Sequence, residues 1–341
     1  MQTLSVGVVI ELLQIINYLL LNGVRQMKEN MDIQPAKKRI TKVKLKKKNS
    51  IERNESIAGA LFVLPMLIGV SVIVLMPIIA TFILAFADWK FVAGWDQLKW
   101  VGFQNFKDLL GDKVFVKSVI NNAIFILTVP ITMVVAIVLA VIIDKYVYMK
   151  DYFKVAFFMP YISSVVAIAV VWQVLFHPSQ GPINQVLMSL GIENPPTWIA
   201  DPNFALISVM LIHIWISIGF SLIIYIAGLQ SIPKELYEAA EMDGANAWYK
   251  FRNITLPLVS PTSFFLLVTG IIATFKVFDL IAVLTAGGPM HSTTMLVWHL
   301  YKTAFINLEI GYASAIAVIL FLFVFLITIL QWIGQKKWVN Y

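Results

Sequence analysis

The most specific spacing in the chain lies between residues 238 and 257. Glu238-Ala239-Ala240 is followed after three residues by Gly244, and Ile254, Leu256 and Pro257 come after nine more. None of these residue types does covalent work here. Small side chains let a second surface approach a helix closely, and a glycine permits a turn that a Cβ resists. The chemistry on offer is docking. The sequence predicts a first helix with Ser231 as N-cap, Pro233 in its first turn and Glu235 near its positive end. A turn at Gly244 follows. A second short amphipathic helix then carries Trp248, Phe251 and Ile254 and stops at Pro257.

A second set is made of polar residues inside apolar runs, where ionisable groups are costly. Lys276 and Asp279 are three apart, so one helix would carry both on one face, where they could pair. They are either a gate or solute contact, or a structural ion pair. Trp172, Gln173, His213 and Trp215 combine aromatic faces with planar polar groups, the types that hold sugar C–H surfaces and hydroxyls. The alternative for these four is bundle packing and interfacial anchoring. Asn121 and Asn122 open another apolar run and are expected to be helix-end residues.

Several chemistries are excluded. With no cysteine, disulfides, thiolate metal sites and cysteine nucleophiles cannot occur. His177, His213, His291 and His299 show no metal-ligand spacing. No G-x-x-x-x-G-K-[ST] phosphate loop is present. No Ser/Lys, His/Glu or paired-acid constellation falls at catalytic spacing, so an enzyme is not expected. No bound metal or cofactor is expected either.

The elements that position these residues follow from composition. Of 341 residues, 59% are hydrophobic and only 13% charged, against roughly 25% charged in soluble domains. That balance places the chain in a membrane. Continuous apolar runs long enough to cross a bilayer are expected over Ile57–Phe86, Ser118–Ile143, Val155–Phe176, Ala205–Leu229, Pro261–Leu284 and Tyr312–Ile333. They do not alternate, so they are helices and not barrel strands. The fold class is all-α polytopic membrane protein, with Pro65, Pro77, Pro130 and Pro160 bending its helices.

The basic residues set an orientation. Lys37, Lys38, Arg39, Lys42, Lys44, Lys46, Lys47, Lys48 and Arg53 crowd one tail, which is expected to be cytoplasmic. With six spans the C-terminus, with Lys336 and Lys337, lies on that side too. So do the loops with Lys145, Lys150 and Lys154, and with Lys234, Lys250 and Arg252. Four segments are expected: an apolar leader (1–26), the basic tail (27–56), a membrane domain (57–334) with its loop at 231–258, and a short C-terminus (335–341). The leader is a seventh span, an interfacial helix or a start-site artefact. The net charge of +7 is accounted for largely by the tail and needs no nucleic acid.

The 231–258 loop resembles that of the membrane subunits of binding-protein-dependent ABC importers. Glu238, Ala239, Ala240, Gly244, Ile254, Leu256 and Pro257 match the family's loop without departure. Val101-Gly102-Phe103-Gln104-Asn105-Phe106 resembles the family's VGxxNF segment. Phe275–Asp279, Leu284–Pro289 and Gly311-Tyr312-Ala313 resemble the carbohydrate-uptake branch, of maltose or glycerol-3-phosphate permease type. The likeness runs from about Ile57 to Trp338. It implies a six-helix type I importer core whose loop rests on an ATP-hydrolysing subunit. It also implies two such ATPase subunits using ATP-Mg, a second and different permease, an extracytoplasmic solute-binding protein and a sugar substrate. The alternatives are a permease for glycerol-3-phosphate or another small polar solute, and a self-contained secondary transporter. The latter should show coupling acids deep in the membrane or paired broken helices, and apart from Asp279 neither is visible.

Overall fold

A computed structural model describes residues 50–338. The leader and the tail up to residue 49 lie outside the described residues. The chain divides into two units, one ending at Ile83 and the other beginning at Leu84.

In the first unit, α1 (Ser50–Val70) passes through a wide π turn at Ser71–Leu75 into α2 (Met76–Leu84). Proline lacks an N–H and its ring clashes with the carbonyl four residues back. The π turn lies just before Pro77 and widens the helix there, so this proline is absorbed without breaking the helix. Leu61–Leu84 is long and apolar enough to cross a membrane.

The second unit opens on a two-stranded ribbon. Ala87 of β1 (Ala87–Asp88) faces Trp100 of β2 (Lys99–Trp100), antiparallel. After α3 (Gln104–Gly111), the helices α4 (Lys113–Phe125) and α5 (Thr128–Tyr146) together form the span Lys113–Lys145. Then come α6 (Lys150–Ile162), α7 (Val165–Leu175), the short α8 (Pro182–Ser189) and the long α9 (Ala205–Gln230). The 231–258 loop holds α10 (Lys234–Met242), α11 (Ala247–Lys250), a π turn (Phe251–Thr255) and α12 (Leu256–Leu258). The chain ends with α13 (Ser260–Thr274), α14 (Asp279–Leu284), α15 (Leu296–Tyr301) and α16 (Ile310–Trp338).

Among the described residues, four helices are long enough to span, and two bent pairs make six if each pair counts as one. Two expected spans are therefore corrected in shape. Val155–Phe176 is not one helix. It turns by 94° between α6 and α7 at Ser163-Ser164, where the Ser164 hydroxyl accepts from Ala167 N and restarts the helix. Pro261–Leu284 also breaks. Its helix α13 ends at Thr274, whose Oγ1 donates to Ile271 O, and α14 restarts at Asp279.

Among the described residues, two apolar cores lie in the second unit. One joins α5, α9 and α13 through Ile137, Leu222, Leu229 and Leu266, with Tyr225 Oη donating to Ser263 Oγ. The other joins α7, α9 and α14 through Ile168, Ile212 and Ile281. Each lies beside one set of candidate residues.

Candidate functional site

The 231–258 loop has an inward and an outward face. Its first helix begins differently from expectation: Pro233 is the N-cap, and the Ser231 hydroxyl instead donates to Gly228 O and closes the end of α9. Inside, Tyr237 Oη and Thr255 Oγ1 hydrogen-bond at 2.9 Å, and Thr255 is buried. The Lys145 ammonium lies 4.1 Å above the Tyr237 ring, a cation–π contact. Ile232 is buried in the α5–α9 core, and Phe251 and Ile254 pack against that core.

The turn is fully satisfied. Gly244 sits at φ +77°. Gly244 N donates to Glu241 O at 3.0 Å and Ala245 N to Ala240 O at 2.9 Å, which is the Schellman pattern of a helix end. Asn246 Oδ1 then accepts from Tyr249 N at 2.8 Å and starts α11. Pro257 does not stop the second helix as expected. The π turn just before it makes room for the ring, and the helix runs through Pro257 to Leu258.

Outward, Glu238, Ala239 and Gly244 are exposed, as are Leu256 and Trp248, while Ala240 and Pro257 are partly covered. Met242 is 89% exposed. The seven motif residues thus lie in one ordered element. Tyr237, Thr255 and Asn246, which build it, went unremarked in the sequence. Asn246 was open to detection as a capping residue three before Tyr249.

The second set divides. Trp172 and Trp215 meet edge-to-face at 5.8 Å, and Trp172 also touches Phe176, which stacks on Trp198. Gln173 Nε2 donates to Val283 O at 2.6 Å, at the end of α14. His213 is half-buried against the Phe125 ring at 4.9 Å. Lys276 and Asp279 do not share a helical face, because the break at 275–278 separates them. Among the described residues they form no ion pair, so the paired-charge expectation is corrected. Lys276 is half-buried and Asp279 exposed.

Asn121 and Asn122 are more than helix-end residues. Both are buried on α4. Asn121 Nδ2 donates to His291 O at 3.0 Å and Thr294 O at 2.9 Å, and Asn122 Oδ1 accepts from Leu296 N at 2.8 Å. With Gln173 they clasp both ends of the 283–296 segment.

Residues 115–338 match the model of the binding-protein-dependent transport system inner membrane component family. The chain belongs to this family. Over 243 residues this permease is 35% identical to the sn-glycerol-3-phosphate transport system permease protein of Agrobacterium fabrum, covering 71% of this chain and 82% of that one. It is 31% identical to the probable starch degradation products transport system permease protein of Thermoanaerobacterium thermosulfurigenes, over 81% of this chain and 94% of that one. Among solved structures it superposes on a chain of a bacterial alginate ABC transporter in complex with an alginate pentasaccharide-bound periplasmic protein. That match has a TM-score of 0.72 and 25% identity, over 84% of this chain and 96% of the other. The all-α permease fold and the multi-pass membrane assignment follow directly.

Proposed function

We propose that this permease is one of two different membrane subunits of an ABC importer that takes up an oligosaccharide delivered by an extracytoplasmic binding protein. The observation that carries the coupling role is the two-faced 231–258 loop. Its inner face is tied to the α5–α9 core, while Glu238, Ala239 and Met242 stand outward on a turn that needs nothing more from its own chain. Two ATPase subunits using ATP-Mg close on each other, and the loop passes that motion to the helices. The N-terminal tail and C-terminus are cytoplasmic in this reading, on the side of the loop. Family membership sets aside the self-contained secondary transporter.

The solute class rests on the aromatic crossing. Trp172 and Trp215 offer the ring faces that sugars use. An anionic solute such as glycerol-3-phosphate asks for cations, and of the six candidate pathway residues only Lys276 carries a fixed positive charge. The relative from T. thermosulfurigenes, named for starch degradation products, supports the same choice.

The test is uptake of labelled oligosaccharides and glycerol-3-phosphate in cells with and without the gene, paired with affinity purification of the tagged permease. Loss of one oligosaccharide and recovery of ATPase chains are the expected results. Normal entry of every sugar with loss of glycerol-3-phosphate overturns the solute class. A permease that purifies alone and transports without ATP overturns the importer reading.

A further inference from the structure

The segment between the first span and α3 carries an apolar tip that the importer mechanism does not use. The tip is Phe91-Val92-Ala93-Gly94-Trp95, set between Lys90 and Asp96. Phe91 is 62% exposed, Val92 74% and Trp95 70%. The exposure does not come from a loose loop. Trp89 is buried, its Nε1 donates to Gly94 O at 2.9 Å, and its ring stacks on Trp95 at 4.3 Å. Asn105, also buried, donates to Ala85 O and Ala87 O, both at 2.9 Å.

The platform is fastened to the start of α16. Phe91 N donates to Leu308 O at 2.9 Å, Gly311 N donates to Trp89 O at 3.0 Å, and Lys90 pairs with Glu309 at 2.9 Å. The backbones are so close that a Cβ on Gly311 would run into Ala87 O. The tip therefore lies level with the first turn of a membrane span. The next exposed tryptophan along that span is Trp332 near its far end. From Gly311 to Trp332 the helix rises about 31 Å at about 1.5 Å per residue. The hydrocarbon layer of a bilayer is about 30 Å thick. The two tryptophan-bearing levels are one membrane thickness apart, and tryptophan is enriched at both bilayer interfaces.

We propose that the Phe91–Trp95 tip is an interfacial anchor, seated at the boundary between lipid headgroups and acyl chains, and that it fixes the depth of α16. The span Ile310–Gln335 has 26 residues and is about 39 Å long. It exceeds the hydrocarbon thickness, so its own apolarity leaves its depth open. The tip is also small for a protein partner. Three such side chains offer on the order of 400 Å², below the roughly 800 Å² that each side of a stable interface buries.

This chain has no cysteine, so once the partner subunits are also made cysteine-free a single label reports the site. Val92→Cys carries a nitroxide in the assembled importer, reconstituted in phosphatidylethanolamine–phosphatidylglycerol vesicles without binding protein. Collision with oxygen, which partitions into lipid, is compared with collision with a water-soluble nickel chelate. The reference is Glu193→Cys, an exposed position on the loop after α8. The expected oxygen-to-nickel ratio is several-fold higher at 92 than at 193. Equal ratios place the tip in water and overturn the proposal. Protection from both reagents means that a protein covers the tip, which overturns it equally. Phe91→Cys is read the same way and serves if Val92→Cys does not assemble.

Discussion

Replacing Gly244 separates the turn from the surface it presents. At φ +77° an L-residue meets its own carbonyl, and the left-handed conformation costs about 1–2 kcal/mol. Beyond the Cβ position there is open space, with nothing within 4 Å. In the free chain, Gly244→Ala and Gly244→Trp should therefore cost about the same. That cost makes the correct turn roughly 5- to 30-fold rarer. Asn tolerates this backbone region, so Gly244→Asn should be the mildest change. The ATPase subunit proposed above would alter the comparison. If it covers the turn, the indole has nowhere to go and Trp fails far beyond Ala. The assay is ATP-driven uptake in cells, normalised to permease level in the membrane. The expected order of uptake is Gly, Asn, Ala, Trp, with Trp abolished and still present in the membrane. Normal uptake by Gly244→Trp would refute the coupling role. An equal defect in Ala and Trp would show that the backbone matters and the covering surface does not.

Two further outcomes follow from buried groups on the segment between α13 and α16. Asn122→Ala leaves the Leu296 N–H buried without its acceptor, a loss of about 1–3 kcal/mol; thermal unfolding of the purified importer should fall by several degrees, whereas Asn122→Asp, which keeps an acceptor, should fall less. An unchanged Asn122→Ala midpoint contradicts the clasp. Burial holds the His299 imidazole below its ordinary pKa, although Asp112 at 3.3 Å pulls the other way. The unfolded chain thus binds a proton at about pH 6.5 that the folded chain resists. Stability is complete above that pH and falls as pH drops below it, and His299→Gln should flatten this slope in a melting series from pH 8 to 5.

What the sequence made legible was set by how local each feature is. The spans Ala205–Gln230 and Ile310–Gln335 lie within two residues of expectation at each end, because an unbroken apolar run admits little else in lipid. The break after Thr274 was hidden, since Phe275-Lys276-Val277-Phe278 contains no glycine or proline to announce it. The pairing of Lys276 with Asp279 assumed a continuous helix and failed with it. The 94° bend had weak cues in Pro160 and the Ser163-Ser164 pair, but hydropathy averages over them. In the loop, the turn at Gly244 was readable because one residue type meets one backbone demand. Tyr237 and Thr255 were not, because their value lies in meeting each other across 18 positions. Asn121 and Asn122 hid their role for the same reason, with partners about 170 positions away.

The 63° elbow between α12 and α13 has a mechanical consequence. It turns at one fully buried residue, Val259, wedged in the α5–α9 core. The arrangement has the form of a bell crank: one arm is the 231–258 loop, the other is α13, and the corner is Val259. An arm of 15 residues is about 22 Å long. A rotation of about 10° at the corner would swing its far end by about 4 Å. That far end is Thr274, two residues before the half-buried Lys276. A rotation of the loop would arrive there as a displacement about as wide as a side-chain contact.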